Sequence, residues 1–132
     1  MLGELIGETR GKRIVRTVLS STPFKVQVSF EDAGKMVGVD VTGFGSYTSE
    51  VRPDGSIYGE GNGIYMSGPG EAITWTATGI GKFLENGTVS YRGMLYYRSA
   101  SPKFAKLNNV AGAFEYESTA AGETHSKVWE WK

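Results

Sequence analysis

Hydrophobic and polar residues alternate along most of this chain, in short segments separated by glycine, proline, asparagine and aspartate. The alternation is clearest in three consecutive segments at residues 58–66, 73–84 and 88–98, which are rich in β-branched and aromatic residues. Turn signals divide them, Ser-Gly-Pro-Gly at 67–70 and Glu-Asn-Gly at 85–87. A period of two is typical of strands with two different faces, so the pattern predicts three adjacent antiparallel strands.

Five further segments of the same kind flank the central three, at residues 4–20, 24–30, 36–51, 110–118 and 123–132. Asp-Ala-Gly-Lys at 32–35 predicts the turn after the second strand. Residues 102–107 do not alternate; proline begins them and Phe104 and Leu107 share one face, which predicts a short helix or helical turn that plugs one barrel mouth. The prediction is an all-β, eight-stranded antiparallel meander barrel, in a single domain of residues 1–132.

Glycines fall at alternate positions in two of the central strands, at Gly59, Gly61 and Gly63 and at Gly79 and Gly81. One face of each strand therefore carries bare backbone, as is usual where a sheet bends sharply or packs closely. A phosphate-binding loop needs its glycines between a strand and a helix, whereas strand-like sequence continues on both sides here. We expect these glycines to be structural and expect no nucleotide binding.

Composition narrows the function classes further. The 14 basic and 14 acidic residues cancel, and neither sign forms a run, so no nucleic-acid or membrane partner is expected. The chain has no cysteine and one histidine, so no metal site and no cofactor is expected. The first residues have neither a basic nor an apolar segment typical of an export signal, and we expect a cytoplasmic location.

The glycine-spaced YGEGNG at residues 58–63, the GIGKF at 79–83 and the SPKFAKLNNVAGAFEYE at 101–117 carry a family resemblance. Together with eight short strands, they resemble small bacterial proteins with the allene-oxide-cyclase-like barrel, a calycin-like architecture. The plant cyclase and the dirigent proteins with a similar barrel act on, or steer, small apolar molecules in the lumen. The resemblance implies a barrel with such a lumen, and it transfers no catalytic residue.

Charged and polar residues on the predicted strands are the candidate ligand-binding groups. Glu60 and Asn62 lie opposite the glycines of their strand, and Arg92 and Glu115 alternate with apolar residues on two later strands. If those faces point inward, the four side chains would meet in the lumen, where buried charges must be paired. The alternative is that they point outward into solvent and that the opposite, aromatic faces line the interior.

The remaining chemistry-bearing residues carry no specific motif. His125, the only histidine, has Glu123 as its nearest carboxylate in sequence and is interpreted as an exposed residue. The three tryptophans, Trp75, Trp129 and Trp131, are interpreted as core packing or a subunit contact, because the basic groove that accompanies nucleic-acid stacking platforms is absent.

Three functions remain open from sequence. The barrel would bind a small apolar or amphipathic molecule in its lumen, or it would be a cyclase or isomerase that uses Glu60, Arg92 or Glu115 on an enclosed apolar substrate, or it would be a purely structural oligomeric barrel. Whether it is an enzyme, and which residues would be catalytic, stays open. Apolar pairs such as Ile14-Val15 and Val18-Leu19 place hydrophobic residues on both strand faces, so we expect a homo-oligomer, most simply a dimer.

Overall fold

A computed structural model describes all 132 residues and forms a closed antiparallel barrel in which every strand pairs with its neighbours in chain order. The strands are β1 (Leu2–Ser21), β2 (Phe24–Met36), β3 (Val39–Val51), β4 (Ile57–Gly68), β5 (Glu71–Phe83), β6 (Val89–Arg98), β7 (Ala111–Ser118) and β8 (Glu123–Trp131). A 3₁₀ helix at Pro102–Asn109, here called the plug helix, joins β6 to β7. The predicted eight-stranded barrel with one short helix is confirmed.

The plug helix lies at the end of the barrel where β6 ends and β7 begins, which we call the lower end. Proline occupies its first turn, where a missing N–H costs nothing. Phe104 and Leu107 are fully buried and belong to the same apolar cluster as Met36 and Ile73 from the strands. The helix therefore closes the lower end with two side chains. No helix in the structure is long and apolar enough to span a membrane.

The glycine-bearing faces of the central strands form the inner wall of the barrel, and aromatic rings lie against them. A Cβ built on these glycines would come within 2.5–3.0 Å of a ring atom, closer than real Cβ atoms normally approach. Each ring belongs to a residue elsewhere on the barrel wall and packs directly on the glycine backbone. The pairs are Gly45 and Gly63 beneath Trp75, Gly59 and Gly81 beneath Tyr91, and Gly79 and Gly93 beneath Phe114.

One turn prediction is wrong. Residues 32–35 do not turn but continue β2 to Met36, and the chain reverses instead at Val37 and Gly38, with φ of 45° and 80°. The glycine at 34 is needed for close packing rather than for a turn, because its Cβ would lie 2.0 Å from the carbonyl oxygen of Glu8. Asp32 thereby becomes an inner-face residue of a long strand.

Candidate functional site

The inner faces of the strands enclose a cavity of about 70 Å³ in the lumen, above the plug helix. That is room for about five water molecules. Twelve of its 22 lining residues are hydrophobic, and no lysine, arginine or histidine is among them. Its aromatic lining residues are Phe30, Tyr47, Tyr65, Trp75, Tyr91, Tyr97, Phe114 and Tyr116.

Several of these rings form one connected cluster in the upper half of the lumen. The ring centroid of Phe30 lies 5.7 Å from that of Tyr116 and 6.2 Å from that of Trp75. The ring centroids of Tyr47 and Tyr116 lie 5.5 Å apart in an edge-to-face arrangement. Burial raises the pKa of the Tyr47 hydroxyl, so this side chain is neutral. Burial also raises the pKa of Tyr91 to about 12. The lumen thus offers aromatic walls and neutral phenol groups.

Asp32 is the one carboxylate whose side chain is buried in this lumen. Glu8 and Glu60 also border the cavity, but their side chains lie on the outer face, where they bond with His125 and Tyr58. The Asp32 side chain is buried, with the residue 9% exposed, and its Oδ2 accepts hydrogen bonds from Thr9 Oγ1 and Tyr65 Oη, each at 2.9 Å. Its Oδ1 is buried without any hydrogen-bond partner, the only side-chain atom of the protein in that condition. A buried carboxyl oxygen without a donor costs free energy unless a bound molecule supplies one.

The position of the proton on Asp32 follows from these contacts. Burial raises the pKa of the carboxyl group, and the hydrogen bonds from Thr9 and Tyr65 only partly oppose that rise. Since Oδ2 already accepts two hydrogen bonds, Oδ1 is the oxygen that gains the proton. The carboxyl group can therefore accept a hydrogen bond at Oδ1 when ionised and donate one there when neutral.

We expect Asp32→Asn to increase the free energy of unfolding at pH 7 by about 1–2 kcal/mol, because it removes a buried, incompletely paired charge. The wild-type pKa is raised in the folded state, so the folded protein binds more protons between the ordinary value of 3.8 and the raised value. The stability of wild type relative to Asp32→Asn should therefore fall as pH rises through that interval and level off above it. Denaturant unfolding from pH 4 to pH 8 measures both effects.

Asp40→Asn is the matched control, since the Asp40 side chain is 86% exposed and contacts only Lys35, at 2.7 Å. A surface pair of this kind contributes little, so its removal should change stability by less than about 0.5 kcal/mol. Equal pH profiles for wild type and Asp32→Asn would show that Asp32 is ionised at its ordinary pKa.

The four candidate residues from sequence analysis lie on the outer face of the barrel. Arg92 and Glu115 form a cross-strand ion pair, with Nη1 and Oε2 separated by 3.3 Å. Glu60 is exposed and accepts a hydrogen bond from Tyr58 at 3.1 Å, and Asn62 is exposed. The structure brings only Arg92 and Glu115 together, and it does so outside the lumen. The hypothesis that these side chains meet in the interior is corrected, because the glycine faces point inward.

The Arg92–Glu115 pair belongs to a row of alternating charges that crosses six strands on the outer face. Residues in the row lie opposite one another in the strand register, so each charge faces opposite charges on its neighbours. The row runs Arg92, Glu115, Lys127, Glu8, Lys35 and Asp40. This arrangement explains these side chains as a solvated surface without invoking a ligand.

His125 and the tryptophans pack or form hydrogen bonds within the barrel wall and its core. His125 Nε2 lies 2.7 Å from Glu8 Oε2 on the outer face, and the hydrogen bond from His125 lowers the pKa of Glu8. Trp75 is buried in the lumen, whereas Trp129 and Trp131 lie on the outer side of β8. No group of three or more histidine, cysteine, aspartate or glutamate side chains is placed to hold a metal ion.

The buried position of Asp32 was not predicted, although the alternation of apolar and polar residues in β2 indicates it. Val26, Val28 and Phe30 share a face, and the same period of two continues through Asp32 to Met36. A carboxylate in phase with an apolar face is the mark of a buried titratable group, which clusters at functional sites. Because residues 32–35 were interpreted as a turn, Asp32 was not assigned to the inner face of the strand.

Comparisons with known proteins are consistent with the barrel. A protein of unknown function from Clostridium acetobutylicum is 13% identical, with 98% of each chain covered and a TM-score of 0.84. A conserved protein of unknown function from Rhodopseudomonas palustris is 13% identical, covers 98% of this chain and 99% of its own, and has a TM-score of 0.77. An enzyme from Penicillium herquei is 15% identical over 96% and 92% of the chains, with a TM-score of 0.68.

No family model and no curated protein matches the chain. At these identities the structural likeness shows the fold alone. The chain is therefore similar in fold to bacterial proteins of unknown function and to an enzyme from Penicillium herquei.

Proposed function

We propose that this barrel binds a small, largely apolar molecule in its lumen through the free Oδ1 of Asp32. The observation that carries the proposal is a buried carboxyl oxygen without a partner, facing a cavity with aromatic walls. Natural proteins leave few such atoms unsatisfied, and functional sites are where they occur. A ligand hydroxyl or amine that donates to Oδ1 would complete the hydrogen bonding of Asp32.

The charge of the lumen restricts the ligand further. Asp32 has no cationic neighbour in the cavity lining, so an anionic ligand would meet an uncompensated carboxylate. A neutral alcohol or phenol suits the site, and the surrounding ring faces would also accept a cationic amine. The ligand class is therefore an apolar ring or short chain that carries one hydrogen-bond donor.

Three small matched probes, which suit a cavity of about 70 Å³, test this proposal: 2-methylpropan-1-ol, 2-methylpropylamine and 2-methylpropanoic acid, titrated by isothermal calorimetry. We expect the alcohol or the amine to bind at least tenfold more tightly than the acid. Asp32→Leu should lose about tenfold in affinity for the donor probe, which corresponds to one hydrogen bond to a charged group. Asp40→Asn should bind the donor probe as wild type does. Absence of binding for all three probes, together with no thermal shift across a library of small alcohols and phenols, would refute the proposal.

Proton-transfer catalysis is the second candidate function, of the cyclase or isomerase type considered from sequence. Asp32 Oδ1 combines a raised pKa with a free position, and the neutral phenols nearby can stabilise a developing oxyanion. In such a step Oδ1 would take a proton from carbon next to a ketone, giving an enolate, and then return it. NMR in D₂O separates the two functions, with cyclopentanone as a ketone small enough for the cavity. Deuterium exchange into cyclopentanone should be faster with wild type than with Asp32→Asn, and equal rates would rule out the proton-transfer function.

A further inference from the structure

The β1–β2 hairpin extends past the closed part of the barrel and exposes apolar side chains. β8 pairs with β1 only as far as Lys12, so the later half of β1 has a partner strand on one side only. Five large apolar residues of the hairpin are between 47% and 71% exposed, namely Ile14, Val15, Val18, Leu19 and Phe24. β2 remains paired with β3 as far as Lys25, so only the later half of β1 is an open edge. Exposed apolar groups beside such an edge mark an interaction surface.

The distal part of the same hairpin, residues 9–30, carries basic residues. Residues 9–30 contain no acidic residue and five basic ones, Arg10, Lys12, Arg13, Arg16 and Lys25. The rest of the chain therefore holds all 14 acidic residues and nine of the 14 basic ones. Only Arg10 among the five has an acidic group within ion-pair distance, Glu8 at 3.9 Å. In the strand register Lys12 lies opposite Glu31 and Glu123, and Lys25 lies opposite Glu50, although none of these pairs is within ion-pair distance. Arg13 and Arg16 have no acidic residue opposite them, so the distal part of the hairpin keeps an excess of positive charge.

The hairpin overhangs the upper end of the lumen. In the β1–β2 register Val18 lies opposite Val26 and Arg16 opposite Val28, on the side that continues the inner wall of the barrel. Two irregularities in the β1 register, after Arg13 and after Val18, bend the strand along this extension. Basic and apolar residues are therefore intermingled at the tip, beside the end of the barrel opposite the plug helix.

A second copy of the chain is a poor occupant for this surface. Pairing two β1 edges across a twofold axis would place the basic side chains of both hairpins together, and like charges on adjacent strands are destabilising. Basic residues and bulges on an edge strand are features that prevent self-pairing. The apolar tip with a basic surround instead complements a surface that is anionic and has an apolar interior.

We propose that the β1–β2 hairpin docks on an anionic phospholipid bilayer. Val18, Leu19 and Phe24 would enter the interface between headgroups and acyl chains, while Arg16 and Lys25 contact the lipid phosphates. Docking in this way brings the upper end of the lumen to the membrane surface, where apolar small molecules partition. Such docking differs from the expectation of no membrane partner, which rested on the cancelling charges and on the absence of a run of like charges.

Sedimentation with sucrose-loaded vesicles tests the docking. We expect binding to phosphatidylcholine vesicles containing 30% phosphatidylglycerol, weaker binding as salt is raised, and little binding to pure phosphatidylcholine. Arg16→Gln and Lys25→Gln should each weaken binding about fivefold, and Val18→Ser with Phe24→Ser should weaken it about tenfold or more. Arg13 is left unchanged because its guanidinium contacts the carbonyl oxygens of the β7–β8 turn.

Matched controls lie on the outer wall. Arg92→Gln removes one exposed basic charge, and Tyr96→Ser removes an aromatic side chain that is 53% exposed, so neither should change vesicle binding. Equal binding to charged and neutral vesicles, no binding to either, or equal effects of hairpin and control variants would overturn the proposal. A dimer seen by light scattering that becomes a monomer in Val18→Ser would also overturn the proposal, because the hairpin tip would then be a dimer interface. Asp32→Leu should bind vesicles normally, which separates failure here from failure of the lumen proposal.

Discussion

Phe104→Ala is expected to lower the free energy of unfolding by about 3–5 kcal/mol, the largest effect of any single truncation argued for this protein. Phe104 is fully buried at the centre of the plug helix and, with Leu107, fills the lower end of the barrel. Two effects add: the transfer free energy of the ring is lost, and a cavity is left against the strand side chains. The surrounding strands are hydrogen-bonded on both sides around the barrel, so they cannot close the space.

Chemical denaturation at pH 7, with urea midpoint and slope fitted together, measures this loss. Lys106→Ala is the control, because it lies in the same helix and is exposed, so its effect should stay within about 0.5 kcal/mol. A small loss for Phe104→Ala, close to that of the control, would mean that the helix rests on the barrel end without plugging it. Our account of a lumen closed from below would then be wrong.

The strands were predictable because the period-two pattern is local and long. Seven of the eight predicted strands begin and end within three residues of the observed ones, and the second was predicted six residues too short. The plug helix was predicted from the proline at its start and from Phe104 and Leu107. The error at residues 32–35 came from turn chemistry, since Asp and Gly usually mark turns. In this protein the glycine at 34 allows β1 and β2 to pack closely. The chain turns instead at Val37, which has a positive φ.

The candidate site was harder to predict because it depends on which strand face points inward. A strand with glycines on one face and Glu60 and Asn62 on the other gives no local reason to place bare backbone inside. The reason is supplied by other strands: Trp75 covers Gly63, and Tyr91 covers Gly59. Such contacts are fixed by register between distant segments, and a single strand's sequence does not contain them.

The same consideration explains why the hairpin charge was missed. Basic residues spaced along β1 do not form a run, and acidic residues elsewhere cancel them in the total. The barrel topology places Glu8, the nearest acidic residue before the segment, within the closed wall, while residues beyond Lys12 lie outside it. The positive excess beyond Lys12 is therefore limited to Arg13 and Arg16 on β1, since Lys25 on β2 lies opposite Glu50 of β3. The expected dimer stays a prediction that the chain's geometry does not decide.

The contacts between glycine and aromatic residues lead to the second large prediction: Gly93→Ala should destabilise the barrel by about 3 kcal/mol. An added Cβ at this position would lie 2.0 Å from the carbonyl oxygen of Thr78, 2.6 Å from Gly79 Cα and 2.9 Å from Phe114 Cε1. The first two are backbone atoms of β5, and β6 is held by hydrogen bonds to both β5 and β7. Neither strand can retreat without breaking its pairing, so the substitution must distort the wall.

Gly3→Ala separates this steric effect from the general effect of replacing glycine. Its added Cβ would lie 2.9 Å from Lys132 Cε, the flexible end of an exposed side chain that can move aside. Alanine also restricts the unfolded chain, so a neutral or slightly stabilising result is expected, within about 0.5 kcal/mol. Thermal unfolding followed by circular dichroism compares the two variants. If Gly93→Ala were as stable as Gly3→Ala, the inner wall would have to be loose at Phe114, and the ring contacts that shape the lumen around Asp32 would lose their rigidity.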